Sequence, residues 1–388
     1  MIEKQKLPFS AEEYQERLTK VRKKMEEKGV ESLLITAPEN IYYLTGYHTI
    51  GYFSYHLLVV PLKHEPILLT RHLNVENALV TSTLNYVEEY PETGLTVNPN
   101  EATYNVLAKY GLVGKPIGTQ NSAWFFTIAQ YLDLKGRVGD KYLVDCSGLV
   151  EQVRLIKSKK EIEYIRKAAQ TCAAGLDGAI DATAPGKNED DVAAALHKAS
   201  IQAGSEYLGH PPMVVAGPDA GLAFSTWHHR PIQKDDVVYI EAGGTFERYN
   251  AVLSRTIIVG RKDEKWIRMA AVSKEALNLA IEAVKPGVTS GEVDRVCRDH
   301  IRKAGYAEYF QHRTGYSIGI GFPPDWGEGR TFSIKEGDPA PLQAGMVLHL
   351  IPDLKTLNEG GVVFSETVLV TEKGHELLTS YPQEIFYK

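Results

Sequence analysis

One stretch constrains this chain more than any other: VVYIEAGGTFERYNAVLSRTIIVG, from Val237 to Gly260. Two apolar runs flank a segment with glycines and charges, which reads as a β-hairpin. Glu241 ends the first run, and Gly243-Gly244 is expected to begin the turn. A carboxylate buried there is costly unless something pairs with it or uses it. It is either a structural acid, bonded to a loop amide or to Arg255, or a reacting group. Any fold for this chain must supply that partner or that use.

A chain of 388 residues is too long for one comfortable core, so two domains are expected. A formal net charge of -6 carries no basic footprint and argues against nucleic acid as a partner. The three cysteines, Cys146, Cys172 and Cys297, are scattered, which argues against a disulfide framework or a zinc-thiolate site. Apolar runs such as LLVVPL are far too short to span a bilayer, and the opening MIEKQKLPFSAEEYQERL lacks the apolar core of a signal peptide. A cytoplasmic protein is expected, with no membrane partner.

Along the chain, Ser10 and Glu13 mark a helix start and Gly29 its end. ESLLITA, HLLVVPL and PILLT read as strands. Mixed elements continue to about residue 150. Ser158 and Glu161 then form a capping box, followed by Ile162, Ile165, Ala169 and Cys172 at helical spacing, which assigns Cys172 to a core. Further helices are expected near 265–284 and 290–304, the latter opened by Thr289 and Glu292. Strands are expected at 236–241, 249–259, 346–352 and 361–371. Helices mixed with strands on short turns give an α+β second half.

Three other stretches carry chemistry-bearing residues. QHRTGYSIGIGFPPDWGEG packs glycines and paired prolines around Tyr316, Asp325 and Trp326. Such a loop either brings backbone and aromatic rings close to a cationic or amidine-like ligand, or is a tight structural turn. In FSTWHHRPIQKDD, His228 and His229 are adjacent and on a strand would point to opposite faces; each is a structural residue or a catalyst. In GGVVFSETVLV, alternation puts Glu366 on one face with Phe364 and Val368, so it needs a salt bridge or a use.

Together these residues resemble the creatinase/prolidase superfamily with its pita-bread catalytic domain. ITAPENIYYLTGY is similar to the N-terminal signature, RLIKSKKEIEYIRKAA to the interdomain junction, and HRTGYSIG to the prolidase segment H-R-T-G-H-G-I-G. The resemblance implies an N-terminal α/β creatinase-like domain over 1–152 and a pita-bread domain over 153–388. Metal-dependent members hold two ions with two aspartates, a histidine and two glutamates. Carried over without gaps, these positions fall on Glu241, Val252, Tyr316, Ile351 and Ser365. One position of the five keeps a ligand-type acid, which implies no metal and no other cofactor.

YIEAGG, RYNAVLSRT and RTGYSIGIGFPPDWGE resemble most closely the metal-free ectoine hydrolases. The chain departs from them at His228-His229, where acidic residues are usual, and in the loop HTIGYFSYH. The resemblance implies hydrolysis of a C–N bond in a small cyclic amidine. Glu241 would attack or serve as base, Glu366 would help hold the cationic ring, Tyr316 would donate a hydrogen bond, and His228 or His229 would pass a proton to the leaving nitrogen. Trp326, Asp325 and Tyr249 would contact the ring, and Arg71 or His72 a substrate carboxylate. A homodimer is implied as well. A Xaa-Pro dipeptidase and a catalytically inactive binding protein of the same fold are the alternatives.

Overall fold

The computed structural model describes residues 4–91 and 99–388, so the first three residues of the opening segment lie outside it. The chain forms two compact units, Met1–Arg154 and Leu155–Lys388. Among the described residues, the first mixes six strands, β1 (Ser32–Ile35), β2 (Leu57–Pro61), β3 (Ile67–Arg71), β4 (Tyr86–Tyr90), β5 (Ile117–Thr119) and β6 (Leu143–Asp145), with six α-helices. These are α1 (Ala11–Lys28), α2 (Pro38–Thr45), α3 (Val75–Thr81), α4 (Pro99–Lys109), α5 (Ile128–Val138) and α6 (Leu149–Arg154). The sheet order is β4-β3-β2-β1-β5-β6. The expected caps set α1: the Ser10 hydroxyl accepts the Glu13 N–H, and Gly29, at φ 70°, turns the chain out through the left-handed region.

The second unit begins with α7 (Lys159–Ala182) and α8 (Glu189–Gln202). The Ser158–Glu161 capping box is complete in both directions. Ile165, Ala169, Cys172 and Leu176 then recur on the buried face of α7. Cys172 is wholly buried, and its thiol donates to the Ala242 carbonyl at 3.1 Å. The long hairpin is β8 (Val237–Phe246) and β9 (Tyr249–Ile258), flanked by β7 (Met213–Ala216) and the C-terminal β17 (Phe386–Tyr387) in the order β17-β9-β8-β7. Val238, Ile240, Ala242, Leu253 and Ile257 share a core with residues of α7 and α8.

A second sheet, in the order β11-β10-β12-β15-β16, combines β10 (Gly315–Ser317), β11 (Ser333–Ile334), β12 (Val347–Leu350), β15 (Glu366–Val370) and β16 (His375–Leu377). Leu348, Leu350, Val368 and Val370 pack with α9 (Glu264–Ala283) and α10 (Ser290–Lys303). Each sheet thus spends one face on helices. The remaining faces meet where Thr367 Oγ1 bonds the Val252 N–H and C=O, at 3.0 and 2.9 Å. A small ribbon of β13 (Leu354–Thr356) and β14 (Gly360–Val362) completes the unit.

The strand expectations need two corrections. Gly243-Gly244 is not a turn: β8 runs through both, and the chain reverses at Glu247 and Arg248, where φ is 48° and 61°. The glycines answer to packing, because a Cβ at Gly243 would come within 2.8 Å of the Trp326 ring and one at Gly244 would meet the Ala168 carbonyl. The expected strand at 361–371 is two, β14 and β15, in different sheets. Among the described residues no helix is long and apolar enough to cross a membrane.

Candidate functional site

Strand alternation puts Tyr239, Glu241 and Gly243 on the face of β8 that α7 and α8 leave free. Glu241 is 3% exposed. Burial pushes its carboxyl up to about 7; nearby Lys355 pulls it back down, Asp353 opposes that pull, and a bond from the Tyr239 hydroxyl at 3.4 Å lowers it further. Lys355 and Asp353 pair with each other, and the Lys355 ammonium stands 4.5 Å from the Tyr239 ring centroid. A carboxyl poised near neutrality, with a hydroxyl and an ammonium close by, is suited to act as a base or nucleophile.

The second sheet adds an aromatic wall. The Trp326 ring seats where Gly243 has no side chain, and its Nε1–H donates to the Tyr316 hydroxyl at 3.0 Å. Burial first, and the charge of Glu241 second, hold the Tyr316 hydroxyl well above its ordinary pKa, so it keeps its proton to give. His349 meets Tyr316 edge-on at 5.2 Å, and His210 lies 4.8 Å from Trp326. The loop carrying Trp326 is pinned by Glu328, which pairs with buried Lys157 at 2.5 Å and accepts the Ser317 hydroxyl at 2.9 Å. Asp325 is half-buried and accepts the Gly327 N–H at 2.9 Å, a turn contact within the same loop.

The other candidates are engaged by partners of their own. Glu366 falls on the opposite sheet face from His349 and Thr367 and is engaged by Arg255 at 2.7 Å, by Gln383 at 3.1 Å and by the Thr379 hydroxyl. Arg255 cannot serve Glu241, because Glu241 pairs across the hairpin with Ser254 and Arg255 projects to the other face. Tyr249 is buried and donates to Glu161 at 2.8 Å, tying the hairpin to the start of α7. His228 and His229 are not on a strand. They sit exposed in an irregular segment with their rings 5.8 Å apart, since His229 takes φ 63°, and His229 pairs with Asp190. In the N-terminal unit, Arg71 donates to Asn74 at 3.3 Å and exposed His72 pairs with Glu89 at 2.7 Å.

Sequence reasoning passed over Tyr239, Asp353, Lys355 and His349. Tyr239 carried a usable signal, two residues before Glu241 and therefore on its face. The others reach the site through strand pairing and loop closure, which local sequence does not encode.

The superfamily resemblance raises the question of a metal pair, and the donor set answers it. Val252 lies among apolar residues of the hairpin, Ile351 has no donor side chain, and the Ser365 hydroxyl donates to Ser254 at 2.9 Å. Among the described residues no group of three or more His, Cys, Asp or Glu side chains is placed to hold a metal ion. Divalent ions need several oxygen or nitrogen donors at close range, so these residues do not fit such a site.

Residues 163–372 match the description "Metallopeptidase family M24", and residues 17–156 match "Creatinase/Prolidase N-terminal domain". The chain is 29% identical over 398 residues to an ectoine hydrolase of Halomonas elongata, covering 98% of this chain and 99% of that protein. It is 28% identical over 370 residues to a Xaa-Pro dipeptidase of Pyrococcus furiosus, covering 95% and 99%. The solved structure of a prolidase from Pyrococcus horikoshii superposes with a TM-score of 0.84 at 26% identity, covering 96% of this chain and all of that one.

Proposed function

Because the chain belongs to metallopeptidase family M24 and is a hydrolase of that family, we propose that it opens a C–N bond of a small cyclic amidine of the ectoine type, without a bound metal. Glu241 is the reacting carboxylate. It adds to the amidine carbon itself or takes a proton from the water that does. Either way, water is consumed, one ring C–N bond breaks, and the ring becomes an amide and a free amine. Tyr316 keeps its proton to hydrogen-bond the developing centre, and the Trp326 ring offers a face to the planar cation. Lys355, close enough to act on Glu241, is the cation nearest to hand as a proton source for the departing nitrogen.

The observation that carries this reading is the state of Glu241. It is buried and held near neutrality, and the one protein hydrogen bond to its carboxylate among the described residues is the long one from Tyr239. The test is to incubate metal-stripped protein with ectoine, creatine and Xaa-Pro dipeptides and to follow products by mass spectrometry. Ring-opened ectoine is expected. Similarity to Xaa-Pro dipeptidases favours a peptidase as the second reading. Release of proline that requires added manganese, cobalt or zinc would replace the first reading with that one.

A further inference from the structure

His349 is wholly buried, and among the described residues neither of its ring nitrogens has a hydrogen-bond partner. Its place in β12 is opposite Tyr316 on β10 and Thr367 on β15, so the three side chains share the sheet face turned away from α9 and α10. Thr367 is spent on the Val252 backbone, and the Tyr316 hydroxyl accepts from Trp326. Burial, with Arg313 and His312 adding to it, holds the His349 ring at about 3, so it is a neutral imidazole with one donor and one acceptor. A buried polar group with nothing to bond in its own chain takes its partner from water or from a ligand.

Arg313 repeats the pattern on the same tyrosine. Its Nη1 is fixed by the Gly329 carbonyl at 3.1 Å and the Ser333 hydroxyl at 2.7 Å, but its Nε is buried with no partner among the described residues. Its guanidinium carbon lies 4.6 Å from the Tyr316 ring centroid. Two unspent N–H donors, one on a permanent cation, therefore flank the ring that also neighbours Glu241. A fixed cation with free N–H groups matches a carboxylate.

We propose that His349 and Arg313 form a subsite beside Tyr316 for a carboxylate arm of the substrate, which holds the ligand while Glu241 acts on it. The naming of that arm as ectoine's rests on the proposed function; the two orphaned donors do not. Glu241, Tyr316 and His349 are 3%, 8% and 0% exposed, so a ligand enters by parting side chains. Ring contacts from exposed Phe224 through His210 to Trp326 mark the wall that would open.

The test is calorimetric titration in a Glu241→Gln background, which spares the ligand from turnover. Ectoine is compared with the same methyl-substituted ring lacking its carboxylate. His349→Leu is expected to weaken ectoine about tenfold or more and to leave the carboxylate-free ring within about twofold, and Arg313→Met to do the same. Equal losses for both ligands, or none for either, would overturn the subsite. Thermal melting is a second readout. With its orphaned nitrogens gone, H349L is expected to melt at or above the parent, and a fall of more than about 5 °C would mean that the protein itself bonds the ring, ending the proposal. If ectoine binds none of the proteins, the functional reading fails separately. Creatine and glycyl-proline, which also carry carboxylates, then take its place: about a tenfold loss of either on H349L sustains the subsite, and no binding of any of the three to the wild-type protein overturns it.

Discussion

Two carboxylates of the second unit, Glu241 on β8 and Glu366 on β15, are 3% and 1% exposed, yet their surroundings differ in kind. Glu366 has a guanidinium, a hydroxyl and an amide on its oxygens, and Arg255, its ion partner, is itself wholly buried. Glu241 has a tyrosine hydroxyl at 3.4 Å and an ammonium that is already paired with Asp353. Burial raises both carboxyls, but for Glu366 the cation and three hydrogen bonds work against it, while for Glu241 little does. The contrast separates an acid that joins two sheets from one left ready to react. Within one fold, the marker of function is the buried charge whose compensation is incomplete.

The hardest blow to this contrast would come from Glu241→Gln. Turnover of ectoine is expected to fall about a thousandfold or more, read by release of the free amine, and a loss of only a few-fold would remove Glu241 from the chemistry. Next, Arg255→Met should leave Glu366 buried without its cation and cost about 3–5 kcal/mol in urea unfolding, whereas E241Q should cost nothing at pH 7. Equal destabilisation by the two would erase the distinction.

A pH series sharpens it further. The fold favours the neutral form of Glu241, so its contribution to stability is complete below about 4.5 and is lost as pH rises through about 7. That shift is worth about 3 kcal/mol, so E241Q should match the wild type in acid and exceed it by up to about that amount above pH 7, by denaturant unfolding. Over the same range kcat/KM should rise with pH to a plateau above about 7, as the carboxylate forms. Tyr316→Phe leaves the ring wall in place and removes the hydroxyl, so about a 10- to 100-fold loss in kcat with a stability change of about 1 kcal/mol is expected. The smallest effect belongs to His229→Ala. The ring is exposed, with Asp190 as its hydrogen-bond partner, so activity should stay within about twofold and stability within about 0.5 kcal/mol.

What sequence made legible in this chain was local. The capping boxes at Ser158–Glu161 and Thr289–Glu292 form as the spacing predicts, because both partners lie within one helical turn. Cys172 is core because its neighbours repeat at the helical period. Glu241 announced itself because an acid inside an apolar run must be compensated wherever the strand goes. The hairpin itself was readable, but its turn was not: two glycines look like a reversal until Trp326 and Ala168, from other elements, are seen to need their space.

Partnership was decided only by the tertiary structure. Arg255 was a reasonable mate for Glu241 by proximity in the chain, yet hairpin register turns it to the opposite face and gives it to Glu366. His228 and His229, conspicuous as a pair, ended in an exposed segment, while His349, a lone residue in an apolar strand, was set edge-on to Tyr316 by the pairing of β10 with β12. The sequence by itself determined which elements form and which charge needs a reason to be buried, because both follow from neighbours along the chain. Which side chains surround that charge depended on how two sheets were registered and closed on each other, and that is a property of contacts between residues far apart in the chain.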